Sequence, residues 1–215
     1  MLLTTDIFLS LFISCLCIGA FSGFLAGLLG IGGGLIIVPT LVYLLPPVVV
    51  NPELIMPMAL ATSLASIAFT SASAAFSHHK NGNIPWSLAR QVAAYVAIGS
   101  VFGAFIAEQL SSKGLSHLFA VAVIVLASYM LMSIKLTKTR NMPSLPFFSA
   151  ISALIGTFAS LMGIAGGTVL VPVLSYFSVG VRHAMGIATV SGVAIAIFGS
   201  LGFIYTGLQL SLIHI

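Results

Sequence analysis

Apolar residues come in runs of membrane-spanning length, and polar residues are confined to short breaks between them. The runs cover about residues 7–29, 34–50, 57–77, 87–109, 115–134, 145–162, 168–180 and 183–205. A hydrocarbon core about 30 Å thick takes about 20 apolar helical residues to cross. The pattern predicts an all-α, polytopic helical membrane protein. The second and seventh runs are short and carry Pro39 and Pro172. They are expected to be half-helices, re-entrant segments or short tilted spans, with both prolines as helix-breaking positions. The breaks ahead of them are glycine: Gly30, Gly32, Gly33 and Gly34 in one case, Gly163, Gly166 and Gly167 in the other.

Those two breaks belong to an internal repeat. Residues 23–45 read GFLAGLLGIGGGLIIVPTLVYLL and residues 156–177 read GTFASLMGIAGGTVLVPVLSYF. Gly23 aligns with Gly156, Gly30 with Gly163, Gly34 with Gly167, Pro39 with Pro172 and Tyr43 with Tyr176, all 133 residues apart. The likeness continues from Met58–Thr62 to Met185–Thr189, now 127 residues apart. If each run crosses once, five crossings separate the copies. An odd number makes this an inverted-topology repeat, as in carriers that alternate access around a midplane site. Residues 1–134 form the first repeat with the span after it, 135–144 a cytoplasmic linker, and 145–215 the second repeat. No counterpart of run 87–109 follows Gly207, so the sequence is expected to be truncated relative to a longer protein.

Composition agrees. Of 215 residues 60% are hydrophobic and 5% charged, and the mean hydropathy is +1.23. A soluble domain could not present a charged exterior from so few charges. Alternating crossings put Lys80, Arg90, Lys135, Lys138, Arg140 and Arg182 on one side, and Asp6, Glu53, Glu108 and Lys113 on the other. The positive-inside rule assigns the basic side to the cytoplasm and the chain to the cytoplasmic membrane. A net charge of +4 from seven Lys and Arg makes no basic stripe, so no nucleic-acid partner is expected. The N-terminus lacks a basic n-region and reads as a retained helix, not a signal peptide. Cys15 and Cys17 fall on nearly opposite helix faces and read as packing.

Candidate chemistry centres on the glycines. Gly32, Gly33 and Gly34 permit close backbone approach to a ligand, and a helix starting after them offers free N–H groups and a positive dipole end. Such donors hold anions without a buried full charge. Gly166, Gly167 and Thr168 offer the same from the second copy, Thr168 adding a hydroxyl. Thr62 and Ser63 on one apolar helix and Thr189 on its counterpart complete the substrate-binding set. For Ser66 and Ser191, and for much of Ser63, the plainer role is a hydrogen bond to the helix's own carbonyls. Gly19, Gly23 and Gly27 read as a helix-packing stripe. His78 and His79 have too few companions for a metal, and no cofactor is expected. Glu108 lies near a span end, so no buried acid serves as a proton relay.

At these motifs the chain resembles the sulfite exporter TauE/SafE family of permeases. The resemblance rests on Gly27-x-x-Gly30-x-Gly32-Gly33-Gly34 with Pro39, on Gly163-x-x-Gly166-Gly167 with Pro172, on Ala61-Thr62-Ser63, and on the connector from His78 to Trp86. The second copy departs in having Ala165 for Gly32 and Val190 for Ser63. The resemblance implies transport of sulfur-containing or organic anions such as sulfite, sulfoacetate or thiosulfate. The expected function is a secondary transporter and not an enzyme, with the anion and the bilayer as partners, a coupling ion unassigned and room for a homo-oligomer. Against it stand a non-transporting membrane subunit whose glycines only pack helices, and an intramembrane serine protease. The protease would need a base near Ser191, and no neighbouring span carries a histidine.

Overall fold

The computed structural model describes residues 2–29, 33–47, 49, 51–132 and 144–213. Among them every regular element is helical. These are α1 (Leu2–Leu29), α2 (Gly34–Leu44), a 3₁₀ turn (Pro52–Leu54), α3 (Ile55–Lys80), α4 (Trp86–Glu108), α5 (Ser112–Met132), α6 (Leu145–Leu161), α7 (Gly167–Tyr176) and α8 (Val181–Ile213). Pro52–Lys80, Trp86–Glu108, Ser112–Tyr129 and Val181–Gly207 are each long and apolar enough to cross a membrane. Gly32 and most of the expected 135–144 linker lie outside the described residues.

The two short helices are half-length. α2 has 11 residues and α7 has 10. At 1.5 Å per residue each is about 15 Å long, half the hydrocarbon thickness. α2 stops at Leu44, earlier than the expected residue 50. Pro46 and Pro47 explain it, because neither has the backbone N–H that the next helical hydrogen bonds need. The expectation that Pro39 and Pro172 break their helices is corrected: both lie inside helix. Each proline forfeits one backbone hydrogen bond, and packed neighbours in a membrane bundle tolerate that loss. The breaks lie at the glycines.

Small residues let the long helices approach. α4 packs on α6 and α8. A Cβ on Gly99 would collide with the Ala153 carbonyl, and one on Gly156 with the backbone of Val96. Thr157 Oγ1 donates to the Gly99 carbonyl at 3.0 Å, an inter-helix bond at the same crossing. Interfaces of this kind are the membrane solution to helix association, where burial of apolar surface drives little. α3 and α8 also pack together. A Cβ at Gly199 would lie 3.0 Å from Leu64 Cδ1, and one at Gly192 2.7 Å from Ser71 Oγ. Rising numbers on α8 meet falling numbers on α3, so the two helices run antiparallel.

The core runs through the packed faces of α3, α4, α6, α7 and α8. Leu60, Leu64, Val92, Ile164, Leu170 and Ile187 are fully buried in it. Phe69, Phe76, Phe102, Ile124, Leu154 and Ile204 face outward, as lipid-facing positions do. The packing expected of Gly19 and Gly23 is not made among the described residues: nothing lies within 4 Å of a Cβ at either. Cys15 and Cys17 are free and exposed on α1. At the α3–α4 connector Trp86 Nε1 donates to His79 Nδ1 at 3.4 Å, and the rings meet edge to face.

Candidate functional site at the two glycine turns

The two copies of the glycine motif touch. A Cβ on Gly34, the first residue of α2, would collide with the Gly163 carbonyl and lie 2.8 Å from Ile164 Cα. Only glycine permits this approach, because the obstacle is backbone on both counts. Gly163 sits at φ +58°, in the left-handed region that favours glycine. That residue ends α6 and turns the chain toward α7. Its carbonyl accepts a 2.7 Å hydrogen bond from Ser63 Oγ on α3. Ser22 Oγ on α1 donates to the Gly33 carbonyl at 3.3 Å. Side chains from α1 and α3 thus hold the carbonyls of both turns.

Gly33 is the N-cap of α2 and Gly166 the N-cap of α7, and among the described residues no side-chain cap bond is made at either. The Gly166 carbonyl already accepts from Leu170 N at 2.8 Å, so α7 is hydrogen-bonded from its first turn. The first N–H groups of a helix have no partner within it, and they carry the positive end of the dipole. A helix start of this kind suits a small anion, and the start of α2 lies against the turn that leads into α7. All the polar side chains buried among the described residues are Ser or Thr, so no fixed charge competes there.

The sequence-predicted hydroxyls divide. Ser63 is buried and reaches the second motif. Thr168 is buried and donates to the Ala165 carbonyl at 3.1 Å. Thr62 is exposed, and its carbonyl accepts from Ser66 Oγ, as expected for Ser66. Thr189 is half-buried and donates to the Gly186 carbonyl at 2.9 Å. The α3–α8 register sets Thr62 level with residue 201, about 18 Å along the axis from Thr189. The structure therefore joins Gly33, Gly34, Ser63 and the turn before Gly166, Gly167 and Thr168, and keeps Thr62 and Thr189 apart. Ser22 was not legible as a site residue, since no motif marks it. An apolar groove of about 630 Å³ between α5, α6 and α7 is lined by Leu118, Val125, Ile151, Phe158 and Val169, with His117 at its edge. It lacks the polar groups that a small-anion site needs.

Among the described residues, four helices of membrane-crossing length with two short glycine-started helices among them describe a multi-pass helical membrane protein. The family model described as Sulfite exporter TauE/SafE matches residues 15–214, and the chain belongs to that family. A probable membrane transporter protein of Haemophilus influenzae is 43% identical over 196 residues, covering 90% of this chain and 74% of the relative. The probable membrane transporter protein YdhB of Bacillus subtilis is 27% identical, covering 86% and 76%. A probable membrane transporter protein of Methanocaldococcus jannaschii is 29% identical, covering 84% and 68%. No solved structure matches the chain.

Proposed function

We propose that the protein is a secondary transporter of small sulfur-containing or organic anions in the cytoplasmic membrane. It works by alternating access around the junction of the α2 and α7 starts. The contact of Gly34 with Gly163 and Ile164 supports this reading, because it sets the start of α2 against the turn that leads into α7. The antiparallel course of α3 and α8, which carry the two copies of the Ala-Thr motif, supports an inverted repeat. In that arrangement the two halves exchange roles as the site opens to one side and then the other.

A binding site of backbone donors and hydroxyls has a mechanistic virtue. It holds an anion by several modest interactions and carries no opposing charge that would trap it. Gly33, Gly34, Gly166 and Gly167 supply the backbone, and Ser63 and Thr168 fix the turns that present it. The subunit alternative, in which the glycines only pack helices, makes the same contacts and predicts no flux.

Counterflow in proteoliposomes separates the two. Labelled sulfite, thiosulfate, sulfoacetate and a sulfur-free carboxylate are each offered against the same unlabelled anion inside. Saturable counterflow of one sulfur anion establishes a carrier and its substrate class. Folded protein that moves none of the four sinks the proposal.

A further inference from the structure

We infer that Ser191 is a substrate-binding and specificity-determining residue of the transport site, donating from α8 to the anion at the start of α7; this rests on the transporter function proposed above. Ser191 is fully buried, and its Oγ has no hydrogen-bond partner among the described residues. A buried hydroxyl without a partner is disfavoured and calls for an explanation. A serine in a helix ordinarily bonds back to its own preceding carbonyl. Ser100, Ser152 and Thr206 all do so here. Ser191 does not, so its donor is left for something else.

Its neighbours locate it. One turn further along α8, on the same face, Ile195 Cδ1 lies 2.6 Å from where a Gly166 Cβ would be. The next residue, Gly192, has Ala165 Cβ 4.0 Å and Ser71 Oγ 2.7 Å from its own missing Cβ. Ser191 is thereby flanked on α8 by residues that touch Ala165 and Gly166, the last two before the uncapped start of α7. α7 is 10 residues long, enough for a developed dipole. The start of α7, with no side-chain cap, and the unspent hydroxyl of Ser191 both lie beside Ala165 and Gly166. The chemistry that satisfies both is a small anion with oxygen acceptors, bound by backbone N–H groups and by the Ser191 hydroxyl.

The test uses full-length protein in proteoliposomes, with sulfite and sulfoacetate as probes, and the thiols of Cys15 and Cys17 removed by substitution with alanine. Ser191→Ala should raise the KM of the transported anion about tenfold or more, the usual loss for a hydrogen bond to a charged group. Ser160→Ala is the matched control, because Ser160 Oγ is also buried and unpartnered but lies between Gly103 of α4 and Gly199 of α8. It should leave KM unchanged. Ser191→Cys should be labelled by a small methanethiosulfonate reagent, and saturating anion should slow the labelling. An unchanged KM in Ser191→Ala beside an active wild type overturns this inference alone. So does a Ser191→Cys thiol that reacts equally fast with and without anion, or does not react. A wild type with no saturable transport of either probe overturns both this inference and the function on which it rests.

Discussion

Ser63 Oγ donates a 2.7 Å hydrogen bond to the carbonyl of Gly163, joining two residues 100 positions apart in sequence. The bond ties α3, in the first copy of the repeat, to the turn that launches α7 in the second. Ser63→Ala leaves that buried carbonyl without its partner and should cost about 1 kcal/mol of stability. Thr62→Ala, one residue away but exposed, should stay within about 0.5 kcal/mol. Thermal unfolding in detergent, followed by size-exclusion fluorescence, distinguishes them. Equal shifts would remove the special role of Ser63.

Gly34→Ala places a methyl group against the Gly163 carbonyl and Ile164 Cα. Backbone cannot swing away as a side-chain tip can, so the expected cost is about 1–3 kcal/mol. Gly23→Ala meets nothing within 4 Å among the described residues. It should be neutral or gain up to about 1 kcal/mol from the better helix former. The pair is measured by yield of monodisperse protein and by melting temperature.

Gly163→Ala forces an L residue to φ +58°. That conformation alone costs about 1–2 kcal/mol. The added Cβ also lies 3.1 Å from Leu60 Cα and from Val38 Cγ2. We expect the variant to lose transport and to melt well below wild type; a wild-type melting curve would contradict the left-handed turn.

Ser160→Ala removes a buried hydroxyl that has no hydrogen-bond partner among the described residues. Replacing it with a methyl of similar size should leave stability unchanged or raise it by about 1 kcal/mol. A clear drop in melting temperature would mean that Ser160 has a partner in the folded protein.

The elements were legible because each apolar run ends in glycine, proline or a charge. The half-helix starts at Gly34 and Gly167 were marked by the paired glycines themselves. What the sequence withheld was which face of α3 turns inward. In a membrane helix the lipid-facing and protein-facing sides are both apolar, so hydrophobic periodicity carries little directional signal. Thr62, repeated as Thr189, drew attention for being present twice. Ser63, replaced by Val190 in the second copy, is the one that reaches Gly163. Ser191 fell outside the candidate set for a related reason. A serine that bonds its own helix and one that does not look alike in sequence. The early end of α2 at Leu44 was missed because Val48, Val49 and Val50 extend the apolar run past the Pro46–Pro47 stop.

The polar side chains buried among the described residues are all uncharged. In a carrier built this way the empty protein reorients without moving charge through the membrane field, and the loaded protein moves the charge of its cargo. A potential of about 100 mV, negative inside, is worth about 2.3 kcal/mol per elementary charge. With no coupling ion, a monovalent anion would then be driven outward by about fiftyfold at equilibrium. Reversing the voltage across a proteoliposome with a potassium ionophore would reverse the net flux. Efflux would be a property of the cell's electrical polarity, and the same molecule in a depolarised membrane would equilibrate its cargo and accumulate it on neither side.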